Sequence, residues 1–249
     1  MYWADSFAQC GYPTFRIDLP GLGDSEGDVP EPMLQFVNGG GYGPLTAACV
    51  SEINHRFDLS GMITMGLCAG AVTALYGAAA TKECKGTMLL DPYFYETHDE
   101  RPKIRSEISR WTMWSRIGAF ASKIYDHVRH LWRLACGNRL PGNANRRLLQ
   151  CWAQLVSSGT PVLALKSPAF KARGLKPRVG EFDYFAYLQA ISGQSDRVAI
   201  EFVEGTNHSF ADGVGRAAVR ARTLQWLNDY FPSVAREEVA AGERNALTA

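Results

Sequence analysis

The chain has 249 residues, 46% of them hydrophobic, with 26 Lys and Arg set against 25 Asp and Glu for a formal charge of +1. That length and apolar content can bury one domain's core and carry an insertion, which excludes a disordered chain as the starting expectation. The balanced charge excludes global steering toward nucleic acid or an acidic surface, so any electrostatic preference has to be local.

Six cysteines, Cys10, Cys49, Cys68, Cys84, Cys136 and Cys151, are scattered without C-x-x-C spacing, which argues against a zinc ribbon or a disulfide framework and for reduced thiols in a cytoplasm. The N-terminal MYWADSFAQCGYP has no basic region followed by an apolar run. No later stretch reaches the ~20 apolar residues that a membrane span needs. The expected localisation is cytoplasmic.

In chain order, a helical lead at Tyr2 to Gln9 precedes a predicted strand, Thr14 to Leu19, which Pro20-Gly21 stops. A glycine-rich loop through Gly39-Gly40-Gly41 follows. Then come a helix from about Leu45 to Arg56, a strand at Gly61 to Met65, a helix of small residues at Ala71 to Ala80, and a strand at Gly86 to Leu90. The alternation breaks from Tyr93 to Ser157, a helical and tryptophan-rich stretch read as an insertion. It resumes with a strand at Pro161 to Leu165, a helix near Phe182 to Ile191, a strand at Arg197 to Val203 and a last helix near Val214 to Tyr230. Such alternation predicts an α/β fold, a mostly parallel sheet covered by helices on both faces. The core is assigned to residues 1–92 and 158–235, the insertion to 93–157, and a polar, Ala-rich tail to 236–249.

Gly66-Leu67-Cys68-Ala69-Gly70 lies between a buried strand and a helix and has the G-x-nucleophile-x-G form. A strained strand-to-helix turn of this kind exposes one side chain, and the glycines admit close backbone approach. The following helix dipole favours a thiolate at Cys68, and the Ala69 N–H is placed to donate to an oxyanion. The plainer reading is a small buried cysteine in a packing turn.

His208, in Glu204-Gly205-Thr206-Asn207-His208-Ser209-Phe210, follows the last strand, where a loop can direct an imidazole across the sheet edge toward Cys68 as general base. A helix-capping histidine is the plainer reading. The triad acid is expected after the strand ending at Leu165, where Lys166-Ser167-Pro168-Ala169-Phe170 holds no carboxylate. Asp183 is the first choice. Glu181 and Asp91, the latter directly after Leu89-Leu90, are the alternatives, with helix capping the competing role for Glu181 and Asp183.

Asp18-Leu19-Pro20-Gly21-Leu22-Gly23-Asp24-Ser25, the Cys68 pentapeptide and Gly205-Thr206-Asn207-His208-Ser209-Phe210 together resemble the α/β-hydrolase superfamily over most of the chain. A Cys in place of Ser is similar to dienelactone hydrolases and to hydrolase-like proteins associated with bacterial exosortase and exopolysaccharide clusters. The resemblance implies that Asp18 and Ser25 shape a turn, and that residues 93–157 are a helical cap over the site. It also implies three strands ahead of Thr14, the third lying between Thr14–Leu19 and Gly61–Met65 and followed by a loop with a second oxyanion donor. These are not in the sequence. Either coding begins upstream of Met1, or the two strands pair directly in an N-terminally shortened sheet, or the chain is a remnant.

The expected activity is cleavage of an ester or thioester through a Cys68 acyl-enzyme. The alternative is a binding or accessory protein of this fold with weak or no turnover. Residues 93–157 carry 11 Lys or Arg against 5 Asp or Glu, among them Arg101, Lys103, Arg105, Arg146 and Arg147. A solvated helix face is the plainer account of that excess; an anionic substrate handle, such as a CoA or carrier-protein phosphate, is the functional one. No Walker A loop, dinucleotide fingerprint or H-E-x-x-H occurs, so no cofactor, metal or nucleic-acid partner is expected.

Overall fold

The computed structural model describes residues 2–96, 140–168 and 182–232. Among them, four parallel strands, β1 (Met62–Leu67), β2 (Cys84–Leu90), β3 (Val162–Lys166) and β4 (Val198–Phe202), pair in the order β1-β2-β3-β4. The helices are α1 (Tyr2–Ala8), α2 (Met33–Asn38), α3 (Gly43–Arg56), α4 (Ala69–Ala80), α5 (Arg146–Ser157), α6 (Tyr184–Ser192) and α7 (Gly213–Tyr230).

The period of two along the strands divides the core between the two faces. Leu89, Val162 and Ala164 point to one side, where Val72 and Leu75 of α4 and Leu148 and Trp152 of α5 cover them. Met88, Leu90, Leu163 and Leu165 point to the other, against Val219, Trp226 and Leu227 of α7 and Phe210. The predicted α/β architecture is therefore present, with the strand-and-helix order of the sequence.

Two elements differ from expectation. Residues 14–19 keep the alternation of Phe15, Ile17 and Leu19 but form no strand, because a strand needs a partner ladder and none is in reach among the described residues. A largely apolar cavity of about 250 Å³ is lined by these three residues together with Met62, Ile63 and Met65 of β1. The direct pairing of the two segments does not occur, and β1 is the edge strand of the described sheet. The turn after this segment is built around Asp18: its Oδ2 accepts the Asp24 N–H at 3.2 Å, and a Cβ on Gly23 would meet the carboxylate at 2.5 Å.

The second difference concerns the insertion. Residues 97–139, and with them Arg101, Lys103, Arg105, Trp111, Trp114 and Trp132, lie outside the described residues. The chain leaves and re-enters through an isolated antiparallel bridge between Tyr95 and Ala144. Beyond it, α5, expected as part of the insertion, is the crossover helix between β2 and β3. Trp152 is wholly buried there, with Nε1 donating to Ser192 Oγ at 2.9 Å. Asn145 caps this helix by accepting the Leu148 N–H at 3.0 Å, and its Nδ2 donates to Asn38 O at 2.8 Å. Tyr76 of α4 donates to the same carbonyl at 2.7 Å, and burial pushes its phenol up to about 12. That knot ties α2, α4 and α5 on one face of the sheet.

Candidate active site

Each of the four strands delivers one polar residue to the C-terminal edge of the sheet, the edge where open parallel sheets place their chemistry. Cys68 follows β1, Asp91 follows β2, Lys166 ends β3, and His208 lies in the loop after β4.

Cys68 occupies a left-handed backbone conformation, φ 56° and ψ −114°, at the N-cap of α4. Its N–H donates to Leu90 O at 2.9 Å and its carbonyl accepts from Ala71 and Val72, so the turn is clamped to β2 on one side and to the helix on the other. A non-glycine residue with positive φ costs about 1–3 kcal/mol and persists only where its surroundings enforce it. The enforcing contact is Gly66, where a Cβ would lie 2.1 Å from Gly70 O. The two glycines of the motif are thus unequal, since a Cβ on Gly70 would meet nothing within 4 Å. The Ala69 N–H, first in α4, has no intrahelical acceptor by its position and lies at the positive end of the helix dipole.

His208 is held by a loop with its own hydrogen-bond frame. Asp212, the N-cap of α7, accepts the Gly215 N–H at 2.6 Å, the Thr206 hydroxyl at 2.8 Å and the Asn207 N–H at 3.2 Å. These bonds, with the Gly215 N–H first among them, lower its carboxyl from the usual range to about 2. Gly215 allows the helix to sit that close, because a Cβ there would meet Thr206 Oγ1 at 2.1 Å. Phe210, wholly buried, anchors the far end of the loop in the core. Asn207 Oδ1 accepts the Ser209 N–H at 3.0 Å and the Ser209 hydroxyl at 2.7 Å.

The imidazole Nδ1 is paired with Asp91 Oδ2, leaving Nε2 as the nitrogen available for proton transfer. Asp91 is 3% exposed and adopts φ 47°, and its N–H donates to Leu165 O at 2.7 Å. Its Oδ2 also accepts the Ser167 hydroxyl at 2.8 Å, while Oδ1 faces the Lys166 ammonium as an ion pair.

The carboxylate beside His208 is thus Asp91, the alternative, in place of Asp183, the first choice. Asp183 is the N-cap of α6, where its Oδ1 accepts the Phe185 and Ala186 N–H groups at 3.0 Å each. Glu181 lies outside the described residues. Sequence reasoning passed over Lys166 and Ser167. The signal available was a polar pair placed directly after a fully apolar buried strand, opposite a second buried strand ending in Asp91. Among the described residues no cluster of His, Cys, Asp and Glu could hold a metal ion. Within them no helix is long and apolar enough to cross a membrane.

No family model and no curated protein matches the sequence. Among solved structures, TT1662 from Thermus thermophilus is similar with a TM-score of 0.53 and 16% identity, over 91% of this chain and 82% of that one. The N-acyl homoserine lactonase AidH, in a mutant form complexed with N-hexanoyl homoserine, is similar with a TM-score of 0.45 and 12% identity, over 86% of this chain and 78% of that one. The fold is α/β-hydrolase-like.

Proposed function

We propose that the chain is a hydrolase that cleaves an ester or thioester through an acyl-enzyme on Cys68, with His208 as general base and Asp91 as the acid that orients it. The observation that carries this reading is the contact of His208 Nδ1 with the buried Asp91, at the same sheet edge where Cys68 takes its positive-φ turn. A histidine held at Nδ1 by a buried carboxylate has its tautomer and ring orientation set, which is the arrangement a nucleophile's base requires.

In the first step Cys68 Sγ forms a bond to the carbonyl carbon, and its proton passes to His208 Nε2. The developing oxyanion takes the Ala69 N–H. The C–O or C–S bond to the leaving group then breaks, and His208 returns the proton to the departing alcohol or thiol. Water, deprotonated by His208, attacks the acyl-Cys68 thioester and releases the acid with the free thiol. Ester and thioester substrates fit better than amides, whose poorer leaving groups demand stronger oxyanion stabilisation and timely protonation. Within this reading the protein is cytoplasmic, and its substrate is an acyl ester or thioester with an anionic handle, such as an acyl-CoA, that suits the excess of Lys and Arg in the sequence of residues 93–157.

A second reading, a binding or accessory protein with little turnover, is favoured by one observation. The strand that carries Cys68 is the edge of the described sheet, beside the 250 Å³ cavity. Intact-protein mass spectrometry after p-nitrophenyl acetate and short acyl-CoA thioesters separates the two. An acyl adduct mapped to Cys68, absent in Cys68→Ala and slower to form in His208→Ala, is expected. Folded protein that takes no adduct at Cys68 would overturn the hydrolase reading for these acyl donors and favour the binder.

A further inference from the structure

The carboxylate that holds His208 is shared. Asp91 is 3% exposed, and it faces an imidazole on Oδ2 and a primary ammonium on Oδ1. The Lys166 side chain is 23% exposed and is not free to swing away: its ammonium lies over the Phe185 ring at 5.2 Å from the centroid, and the carbonyl of Lys166 accepts the Val203 N–H at 2.8 Å. The titratable and charged groups around His208 come from every element at this edge. Cys68 follows β1, Asp91 follows β2, Lys166 ends β3, and Glu204 and Asp212 flank His208 in its own loop. Asp212 is committed to its backbone and hydroxyl donors, and Glu204 is exposed, so among the described residues Asp91 and Lys166 are the opposite charges that act on the ring.

A buried carboxylate with no cation beside it would bind a neighbouring imidazole best in its protonated form, because the imidazolium would be the only charge available to offset it. A base in that state has no capacity left to accept the nucleophile's proton. Lys166 changes the balance, since an Asp91–Lys166 pair is neutral as a unit and still presents Oδ2 to Nδ1.

We propose that Lys166 is a positioning residue of this site, whose ammonium offsets the Asp91 charge so that the carboxylate orients His208 without holding it as the imidazolium. The inference rests on the reading of Cys68, His208 and Asp91 as one catalytic unit.

The test follows the His208 imidazole by NMR as pH is varied, assigned by its loss in His208→Gln, and in parallel the pH dependence of Cys68 alkylation by iodoacetamide, mapped by peptide mass. Neither readout requires turnover. Lys166→Met is expected to move the His208 titration midpoint upward by about one pH unit, as an uncompensated charge a few ångströms away implies. Lys166→Arg, which keeps the cation, is expected to restore the wild-type midpoint. Should Lys166→Met fail to fold, Lys166→Gln takes its place. An unchanged midpoint in folded Lys166→Met, or a shift that Lys166→Arg shows equally, overturns the proposal. If the midpoint moves as expected and no acyl donor labels Cys68, it is the hydrolase reading that fails and the electrostatic role of Lys166 that stands.

Discussion

Asp91 and His208 meet across a strand: Asp91 follows β2, His208 follows β4, and β3 runs between them in the sheet, yet Nδ1 and Oδ2 are in contact. The pairing requires both the long loop after β4 and the positive φ of Asp91, which turns its side chain off the direction of its strand. In the proposed reading it also separates the carboxylates by role. Asp91→Asn is expected to slow acyl transfer by about 10²-fold or more while leaving the fold intact, since the histidine loses its orienting charge. Asp183→Asn, by contrast, is expected to leave the rate within about twofold and to lower stability by less than about 1 kcal/mol, because Asn is itself a good helix cap. Steady-state hydrolysis of p-nitrophenyl acetate beside urea unfolding of both variants checks this; equal rates in the two would remove Asp91 from the site.

The glycines around Cys68 give an asymmetric expectation. Gly66→Ala forces a methyl to within 2.1 Å of Gly70 O and is expected to destabilise the protein by about 3 kcal/mol with loss of Cys68 reactivity. Gly70→Ala enters open space on a helix and is expected to be neutral or stabilising by up to about 1 kcal/mol. Thermal unfolding of the two variants, with the rate of Cys68 alkylation, distinguishes a turn built on Gly66 from one that needs both glycines.

The His208 loop has a pH signature of its own. Asp212 titrates at about 2 in the folded protein, below the 3.8 of a free carboxyl, so the charged form is the one that folding prefers. The stability it confers is therefore complete above about pH 4 and is lost as pH falls through about 2. Asp212→Asn is expected to unfold at a lower temperature than wild type at pH 6, with the gap closing toward pH 2. A gap that does not depend on pH would mean that the Asp212 charge is not what secures the loop.

Trp152 tests the assignment of α5 to the core. It is wholly buried, with its ring edge-on to Phe94, and Trp152→Ala is expected to cost about 3–5 kcal/mol, a large share of a domain's total stability. A tryptophan in a cap would instead alter substrate affinity with little change in the unfolding midpoint measured in urea.

The places of Cys68 and His208 at the sheet edge were legible because local grammar marks them: a glycine-flanked cysteine between a buried strand and a helix, and a histidine following the last strand. Asp91 was legible only as an alternative, because its claim depends on which strands are neighbours and on a backbone angle that no local pattern encodes. Chain order pointed instead past β3, where Lys166 and Ser167 stand and where both turn out to touch Asp91. Strands buried on both faces read clearly as continuous apolar runs, Leu89-Leu90 and Val162 to Leu165 among them. Thr14 to Leu19 carries an equally good alternating pattern and forms no strand, since alternation describes a segment's faces and says nothing of whether a ladder partner lies beside it. Trp152 meets a similar limit: helical periodicity identifies α5 but does not say which sheet face it covers.

The position of β1 at the margin of the described sheet has a mechanical meaning. The strand is a cantilever: one flank is riveted to β2 from Met62 to Leu67, and the other borders a cavity. The turn at its tip is braced by the Cys68-to-Leu90 bond and by the stacking of Gly70 over Gly66. Among the described residues, in-plane hydrogen-bond support for the strand therefore comes from one side only. Small displacements of β1 toward the cavity would carry Cys68 with it, while Asp91, wedged between two ladders, stays in place.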